Sequence, residues 1–145
     1  MSLFSALAVC ASGLAAQRTR VELLVENLAN SETTRTPEGG PYRRRQAIFQ
    51  SEAAPAPFRV LLAGTVSEPL AGVAVAEVVT DQTEPERRYL PGHPDADANG
   101  YVAFPRMNPV EDLVDLNAAV RSFQANLAAL SAVKDMLNRS LDLAR

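Results

Sequence analysis

The first thirty residues carry apolar side chains at alternating steps of four and three positions. This spacing is the heptad pattern of a helix that packs along another helix. It predicts a helix from about residue 3 to about residue 30, with small side chains in its first half that let a neighbour approach closely. Gln17 is the polar exception in this row. The apolar members are Leu3, Leu7, Cys10, Leu14, Val21, Leu24 and Leu28.

The carboxyl-terminal part repeats the pattern after a helix-start signal. Asn108 is a capping residue, Pro109 suits a first helical position, and Glu111 is an acid three residues beyond the cap. We therefore expect one helix from Pro109 to about Ala144. Lys134 is the single charge in its row. The apolar members are Leu113, Leu116, Val120, Phe123, Leu127, Leu130, Leu137 and Leu141.

The segment between the two rows has a different composition. Residues 31–107 contain nine of the ten prolines and six of the seven glycines, and helical periodicity is absent there. Short runs with β character, bounded by turn residues, predict strands. The best of them alternates strictly, which predicts two distinct faces. These runs cover residues 42–50, 58–63, 72–79, 87–90 and 101–104.

Together these patterns predict an α+β fold in three parts. Residues 1–30 and 108–145 form long N- and C-terminal helices paired as a coiled coil, and residues 31–107 form a small β-rich lobe inserted between them. A heptad row does not tell whether its partner belongs to the same chain. A self-contained hairpin and a helix pair that also meets neighbouring subunits are therefore both compatible with the pattern. Because isolated helices are marginal in water, we expect both termini to be poorly ordered until something buries them.

Composition and charge narrow the function classes. The net charge is only -3 and no polybasic tract is present, which argues against nucleic-acid and anionic-lipid partners. No apolar run is long enough to span a bilayer, and we expect no direct membrane insertion. No lysine or arginine precedes Arg18, so the basic start of a cleaved signal peptide is missing. Cys10 is the single cysteine, which excludes an intrachain disulfide and a cysteine-based zinc site.

The candidate chemistry is sparse. Four residues match the opening of a calcium-binding loop: Asp95, Asp97, Asn99 and Gly100. The twelfth position of such a loop needs a bidentate Glu but holds Arg106, so we interpret the segment as a turn leading into a strand at Tyr101. His93 is the only histidine, and one imidazole rarely supports a metal site. We expect no catalytic site, no metal site and no cofactor, and interpret the chain as a structural or binding protein.

Three consecutive arginines, Arg43, Arg44 and Arg45, precede a predicted strand. They could hold an anionic partner, although a solvated strand edge is the commoner explanation.

Three stretches in order resemble one protein family. The stretch ASGLAAQRTRVELLVENLANSETTRTPEGGPYRRR is similar to the N-terminal motif of the bacterial flagellar rod, hook and related axial proteins. The motif consists of an Asn-Leu-Ala-Asn segment followed by threonine. The stretches PGHPDADANGYVAFP and RSFQANLAALSAVKDMLNRSLDL resemble the proximal-rod members of that family. The matching motif residues are Asn27, Leu28, Ala29, Asn30, Thr33 and Thr34.

The resemblance implies a structural role without catalysis. Members of the family leave the cell through the flagellar type III export apparatus, without a cleaved signal peptide, and assemble into a hollow rod in the periplasm that transmits torque to the hook. Their terminal helices pair inside the rod. The implied partners are the other proximal rod proteins, the adaptor at the base of the rod and the inner-membrane ring. The alternatives are another rod or hook-family axial protein, a non-flagellar coiled-coil scaffold, or a small α+β enzyme.

The two asparagines of the motif allow two hypotheses. Asn27 and Asn30 lie on one flank of the first helix near its end, where their amides can bond to backbone in the turn or in a neighbouring subunit. Alternatively, Asn30 is a helix C-cap with no role between subunits.

Overall fold

The computed structural model describes residues 3–53 and 71–143 and confirms the α+β class. A long helix comes first and another comes last, with four strands between them in chain order. The predicted strand at 58–63 lies outside the described residues. The elements are α1 (Leu3–Ala29), β1 (Arg45–Ala53), β2 (Ala71–Thr80), β3 (Glu86–Tyr89), β4 (Tyr101–Phe104) and α2 (Pro109–Leu143).

Helix α2 begins as its sequence predicts. The side-chain oxygen of Asn108 accepts a hydrogen bond from the Val110 backbone N–H at 3.1 Å, and its carbonyl accepts one from Asp112 N–H at 3.1 Å. Pro109 occupies the first helical position, where its missing N–H costs nothing. The cap therefore fixes the start of the helix locally, before any tertiary contact is considered.

The two helices contact each other and run antiparallel. Gly13, near the middle of α1, lies against the Asn126 side chain of α2, whose amide nitrogen would be 3.2 Å from a Cβ at this position. Asn27 near the end of α1 and Asp112 at the start of α2 bond to the adjacent residues Arg45 and Arg44 respectively. Both helices advance fourteen residues between these two points, so they stay side by side over about 21 Å.

Strands β1 and β2 form a two-stranded antiparallel sheet that packs on α1. The register shifts between Ile48 and Phe49, which pair with Glu77 and Val75 and leave Ala76 without a partner. This bulge interrupts the strict alternation predicted for 72–79, so that part of the prediction is wrong. A bulge of this kind inserts one residue and bends its strand.

The serine at position 12 joins the first sheet to α1. Its hydroxyl donates to the Val9 carbonyl at 2.9 Å and accepts a hydrogen bond from the Val73 backbone N–H at 3.1 Å. Gly72 lets the strand come this close, because a Cβ there would be 3.0 Å from the Ser12 oxygen.

Strands β3 and β4 form a second antiparallel pair, in register from Glu86 opposite Phe104 to Tyr89 opposite Tyr101. The connecting segment is the turn that the sequence predicts. The Asp97 carboxylate accepts hydrogen bonds from the backbone N–H groups of Asn99 at 2.8 Å and Tyr101 at 2.9 Å. This carboxylate therefore organises a turn that leads into β4.

Among the described residues, few large apolar side chains are fully buried. The buried apolar residues are Ala16, Leu23, Leu24, Val102 and Ala119. Since burial of apolar surface is the main stabilising term in folding, polar contacts between the elements gain importance in this chain. Neither helix, within residues 3–29 and 109–143, is long and apolar enough to cross a lipid bilayer.

Candidate assembly surface and polar junction

The side chain of Asn27 is fully buried and bonds to the strand that follows the turn. Its amide nitrogen donates to the Arg45 carbonyl at 2.8 Å, and its amide oxygen accepts from the Arg45 backbone N–H at 2.9 Å. The same oxygen accepts a hydrogen bond from the Tyr42 hydroxyl at 3.0 Å. The amide thus pairs with both backbone groups of Arg45, as a residue in a neighbouring strand would do.

The phenol of Tyr42 is partly buried beside Glu26. Burial raises the pKa of its phenol above the ordinary value, and the negative charge of Glu26 raises it further. Glu26 also forms an ion pair with Arg45, at 2.8 Å between Oε1 and Nη1. The neutral phenol therefore remains the hydrogen-bond donor to the Asn27 amide in neutral solution.

The second motif asparagine closes the helix. The Asn30 amide nitrogen donates to the Glu26 carbonyl at 2.9 Å, which also accepts a hydrogen bond from the Asn30 backbone N–H at 3.1 Å. The Thr33 hydroxyl donates to the Asn30 side-chain oxygen at 3.1 Å. In this structure the Asn30 amide acts within the chain, at the end of α1.

The motif threonine at position 34 reaches a distant part of the chain. Its hydroxyl donates to the Asp95 carboxylate at 2.8 Å, and Arg35 lies 3.8 Å from the other oxygen of that carboxylate. The Asp95 backbone N–H in turn donates to Nδ1 of His93 at 3.1 Å. The segment after α1 is thereby held against the turn that precedes β4. The remaining motif residues, Leu28 and Ala29, are half-buried and exposed, respectively.

A buried ion pair joins the start of β1 to the start of α2. Arg44 Nη2 donates to Asp112 Oδ1 at 2.5 Å and lies 3.7 Å from Asp115 Oδ2. Asp112 is 1% exposed. Its second carboxylate oxygen and Arg44 Nε are buried without a hydrogen-bond partner. We call the set formed by Asn27, Tyr42, Arg44, Arg45 and Asp112 the polar junction.

Sequence reasoning found Asn27 but missed most of the polar junction. For the three arginines the sequence predicts a solvated strand edge or an anion-binding patch, whereas Arg44 and Arg45 are paired within the chain. Asp112 lies in the first turn of a helix, where an acid is expected for the dipole alone. One feature of the sequence does indicate that Asp112 is buried. Asp112 lies four residues before Leu116 and seven before Ala119, on the same face of the helix.

The predicted row on α1 lies partly under the rest of the molecule. Leu24 is buried, and Leu7, Cys10, Leu14, Val21 and Leu28 are half-buried. Leu3 is the first residue of the helix.

The predicted row on α2 divides into two halves. Leu116, Phe123, Leu130 and Leu137 are half-buried, while the other four members are 36–67% exposed. Buried or half-buried positions occur instead one residue earlier in each heptad: Asp112, Ala119, Asn126 and Val133. We call the exposed half the outer row. Its members are Leu113 at 47% exposure, Val120 at 36%, Leu127 at 48% and Leu141 at 67%.

Within residues 3–53 and 71–143, no group of three or more histidine, cysteine or acidic side chains is arranged to hold a metal ion.

Comparison with known proteins assigns this arrangement to a family. The chain is 38% identical over 143 residues to the flagellar basal-body rod protein FlgC of Salmonella typhimurium, covering 99% of this chain and 98% of that protein. It is 37% identical over 152 residues to FlgC of Bacillus subtilis, with both chains covered in full at 100%. The chain belongs to the FlgC family of flagellar basal-body rod proteins.

Further similarities agree with membership of the FlgC family. FlgC of Borreliella burgdorferi is 37% identical over 150 residues, covering 97% of each chain. Residues 98–143 match the family model described as flagellar basal body rod FlgEFG protein C-terminal. That match covers β4 and α2, including the whole outer row. The chain is accordingly a structural subunit of the flagellar basal-body rod, as its sequence motifs predict.

Proposed function

We propose that this chain is a subunit of the proximal rod and assembles with other rod proteins into the shaft that transmits torque from the rotor to the hook. The observation that carries the proposal is the outer row. It exposes four apolar side chains at heptad-related spacing on α2, in a chain whose full-length relatives are rod proteins. An exposed apolar row of this kind marks a surface that another protein covers.

The division of the α2 row into half-buried and exposed members supports two separate contact surfaces on that helix. Its half-buried members, among them Phe123 and Leu130, lie on the side that includes the buried Ala119. We infer that this side pairs with α1 in a coiled-coil arrangement, and that the outer row packs on neighbouring subunits. Under this inference, the pairing within the chain and the contact with neighbouring subunits involve different halves of one row.

The mechanical role follows from the energy of such contacts. Burying one leucine side chain contributes about 1.5–3 kcal/mol. A row of four apolar residues on each subunit, repeated around a rod, resists sliding and twisting of one subunit against the next. We infer that stiffness, rather than any reaction, is the property supplied by this chain.

The family resemblance supports a particular location and set of partners. The location is the periplasmic rod of the basal body, reached by type III export without a cleaved signal peptide. The partners are the other proximal rod proteins, the adaptor at the rod base and the inner-membrane ring.

The proposal is tested by placing a charge in the outer row. Leu127→Asp is expected to abolish incorporation into isolated basal bodies and swimming, while the variant chain is still exported. Met136→Asp is the matched control, since Met136 is 50% exposed on α2 but lies outside the row. Normal swimming by the Leu127→Asp strain, or an equal loss from both variants, would contradict the proposal.

A further inference from the structure

A cleft lies where α1, β1 and α2 meet. Its volume is about 290 Å³, which is at the lower end of the range for ligand sites and suits one or two side chains. Apolar side chains line it from two elements, namely Leu23 and Leu24 on α1 and Phe49 on β1. We call this feature the junction cleft.

The rim of the junction cleft is cationic. Arg20, Arg44 and Arg45 contribute to it, with Asp115 as the acidic lining residue. Arg44 and Arg45 are already paired with carboxylates of the same chain. Arg20 has no ion pair among the described residues, although it is only partly exposed. The cleft thus combines an apolar interior with one uncommitted positive charge.

The opposite end of the helix pair carries the complementary features. Helix α2 has 35 residues and α1 has 27. Gly13 of α1 lies against Asn126 of α2. Because the helices are antiparallel, Leu3, ten residues before Gly13, is level with Met136, ten residues after Asn126. Residues 137–143 therefore extend beyond it by about 10 Å. In this extension Leu141 is 67% exposed, and Asp142 is exposed without an ion pair among the described residues.

We propose that the extension of α2 from one copy of the chain enters the junction cleft of the next copy. Leu141 fills the apolar interior, and Asp142 pairs with Arg20. The occupant is another copy because this chain itself presents an apolar side chain beside an unpaired carboxylate, which complements an apolar cleft beside an unpaired arginine. The inference rests on the proposed function and adds a specific contact to it.

The geometry of this contact has a consequence for assembly. The two surfaces lie at opposite ends of the helix pair. When successive copies share one orientation, as along a rod, the contact is head-to-tail and leaves a free cleft and a free extension on each pair of subunits. Head-to-tail contacts of this type build rings or open helical filaments, whereas a self-complementary patch stops at a dimer. The proposed contact therefore propagates along or around a rod.

Disulfide cross-linking in isolated basal bodies tests the contact directly. In a Cys10→Ser background, Ala47→Cys is introduced in the cleft lining together with Leu141→Cys. Oxidation is expected to give a ladder of covalent multimers, with the joined peptides identified by mass spectrometry as two copies of this chain. The matched control replaces Leu141→Cys with Leu143→Cys, because residues two positions apart point to different sides of a helix. No ladder, an equal ladder from the control, or joining to another rod protein would overturn the proposal.

A charge exchange separates this inference from the proposed function. Arg20→Glu and Asp142→Arg are each expected to cause a large loss of incorporation, and the double variant is expected to recover most of it. Unchanged incorporation in the single variants, or no recovery in the double variant, would overturn the head-to-tail contact. If Leu127→Asp still abolished incorporation in that case, the outer row and the proposed function would stand without it.

Discussion

The buried amide of Asn27 offers the most direct test of how the motif works. Replacement by leucine keeps a side chain of similar size in a fully buried site but removes both hydrogen-bonding groups of the amide. The backbone N–H and carbonyl of Arg45, which bond to that amide at 2.9 and 2.8 Å, lose their partner. The Tyr42 hydroxyl loses its acceptor as well.

The expected cost follows from the groups left without partners. A buried polar group without a hydrogen bond costs about 1–3 kcal/mol. Two backbone groups of Arg45 therefore give about 2–6 kcal/mol, and the partly exposed Tyr42 hydroxyl adds little because water can reach it. In Asn27→Asp the carboxylate still accepts from the Arg45 N–H, but its second oxygen faces the Arg45 carbonyl oxygen in a fully buried site, so this variant is also expected to be destabilised at neutral pH.

The measurement is equilibrium unfolding of the purified chain in urea at constant pH, with hydrogen exchange of the Arg45 amide as a local readout. We expect wild type to be more stable than both variants, with faster exchange of the Arg45 amide in Asn27→Leu than in Asn27→Asp, because only the aspartate keeps an acceptor for the Arg45 N–H. At acidic pH the protonated carboxyl of the Asn27→Asp chain regains a donor, so its difference from wild type should shrink. Equal unfolding midpoints for wild type and Asn27→Leu would refute the assignment of the motif to an intrachain role.

Three further predictions follow from single contacts. Asp112→Ala leaves Arg44 without its main partner and should lower the free energy of unfolding by about 1.5–3 kcal/mol. Asp115→Ala removes an exposed carboxylate 3.7 Å from Arg44 and should cost less than about 1 kcal/mol. Equal effects of the two variants in urea unfolding would contradict the role of the buried pair. Gly100→Ala should cost about 1–2 kcal/mol of stability, because φ is +81° and a Cβ would be 3.0 Å from the Tyr89 ring. Gly92→Ala is the control, since a Cβ there would have nothing within 4 Å. A lower thermal stability of Gly92→Ala than of Gly100→Ala would refute the predicted strain at position 100. Burial raises the pKa of Tyr42, so its neutral phenol should contribute stability that is complete below about pH 10 and is lost as the pH rises through the raised pKa. The Tyr42→Phe chain should therefore lose less stability at alkaline pH. Identical pH profiles of stability for the two chains would contradict this prediction.

Much of the fold could be predicted because local signals specify it. The cap at Asn108 with Pro109 fixes the start of α2, and the strand at 101–104 follows from the turn that Asp97 organises. Both signals act over fewer than five residues, where the chain has few alternatives. The bulge at Ala76 escaped prediction because it depends on the pairing of β2 with a strand more than twenty residues away.

The candidate site was only partly predictable for a related reason. The motif asparagines could be located from the end of the helix. Whether their partner lies in the turn or in a neighbouring subunit depends on how the chain folds back onto α1 after the turn. The structure brings Arg45 back to Asn27 over eighteen positions. Asp112 and Arg44 are sixty-eight positions apart, and neither position carries a sign of the other in its local sequence.

By itself, the sequence determined that two long helices with apolar rows enclose strand-forming segments in chain order, because heptad spacing, caps and turn residues act locally. Only the tertiary structure decided which side of α2 faces α1. An apolar row at heptad spacing drifts by about 20° per heptad around a straight helix, so its members do not all face one partner. The contact of Gly13 with Asn126 and the Arg44–Asp112 pair set the rotation of α2, which leaves Leu113, Val120 and Leu127 outside. Leu141 is exposed because it lies in the extension of α2 beyond the first described residue of α1.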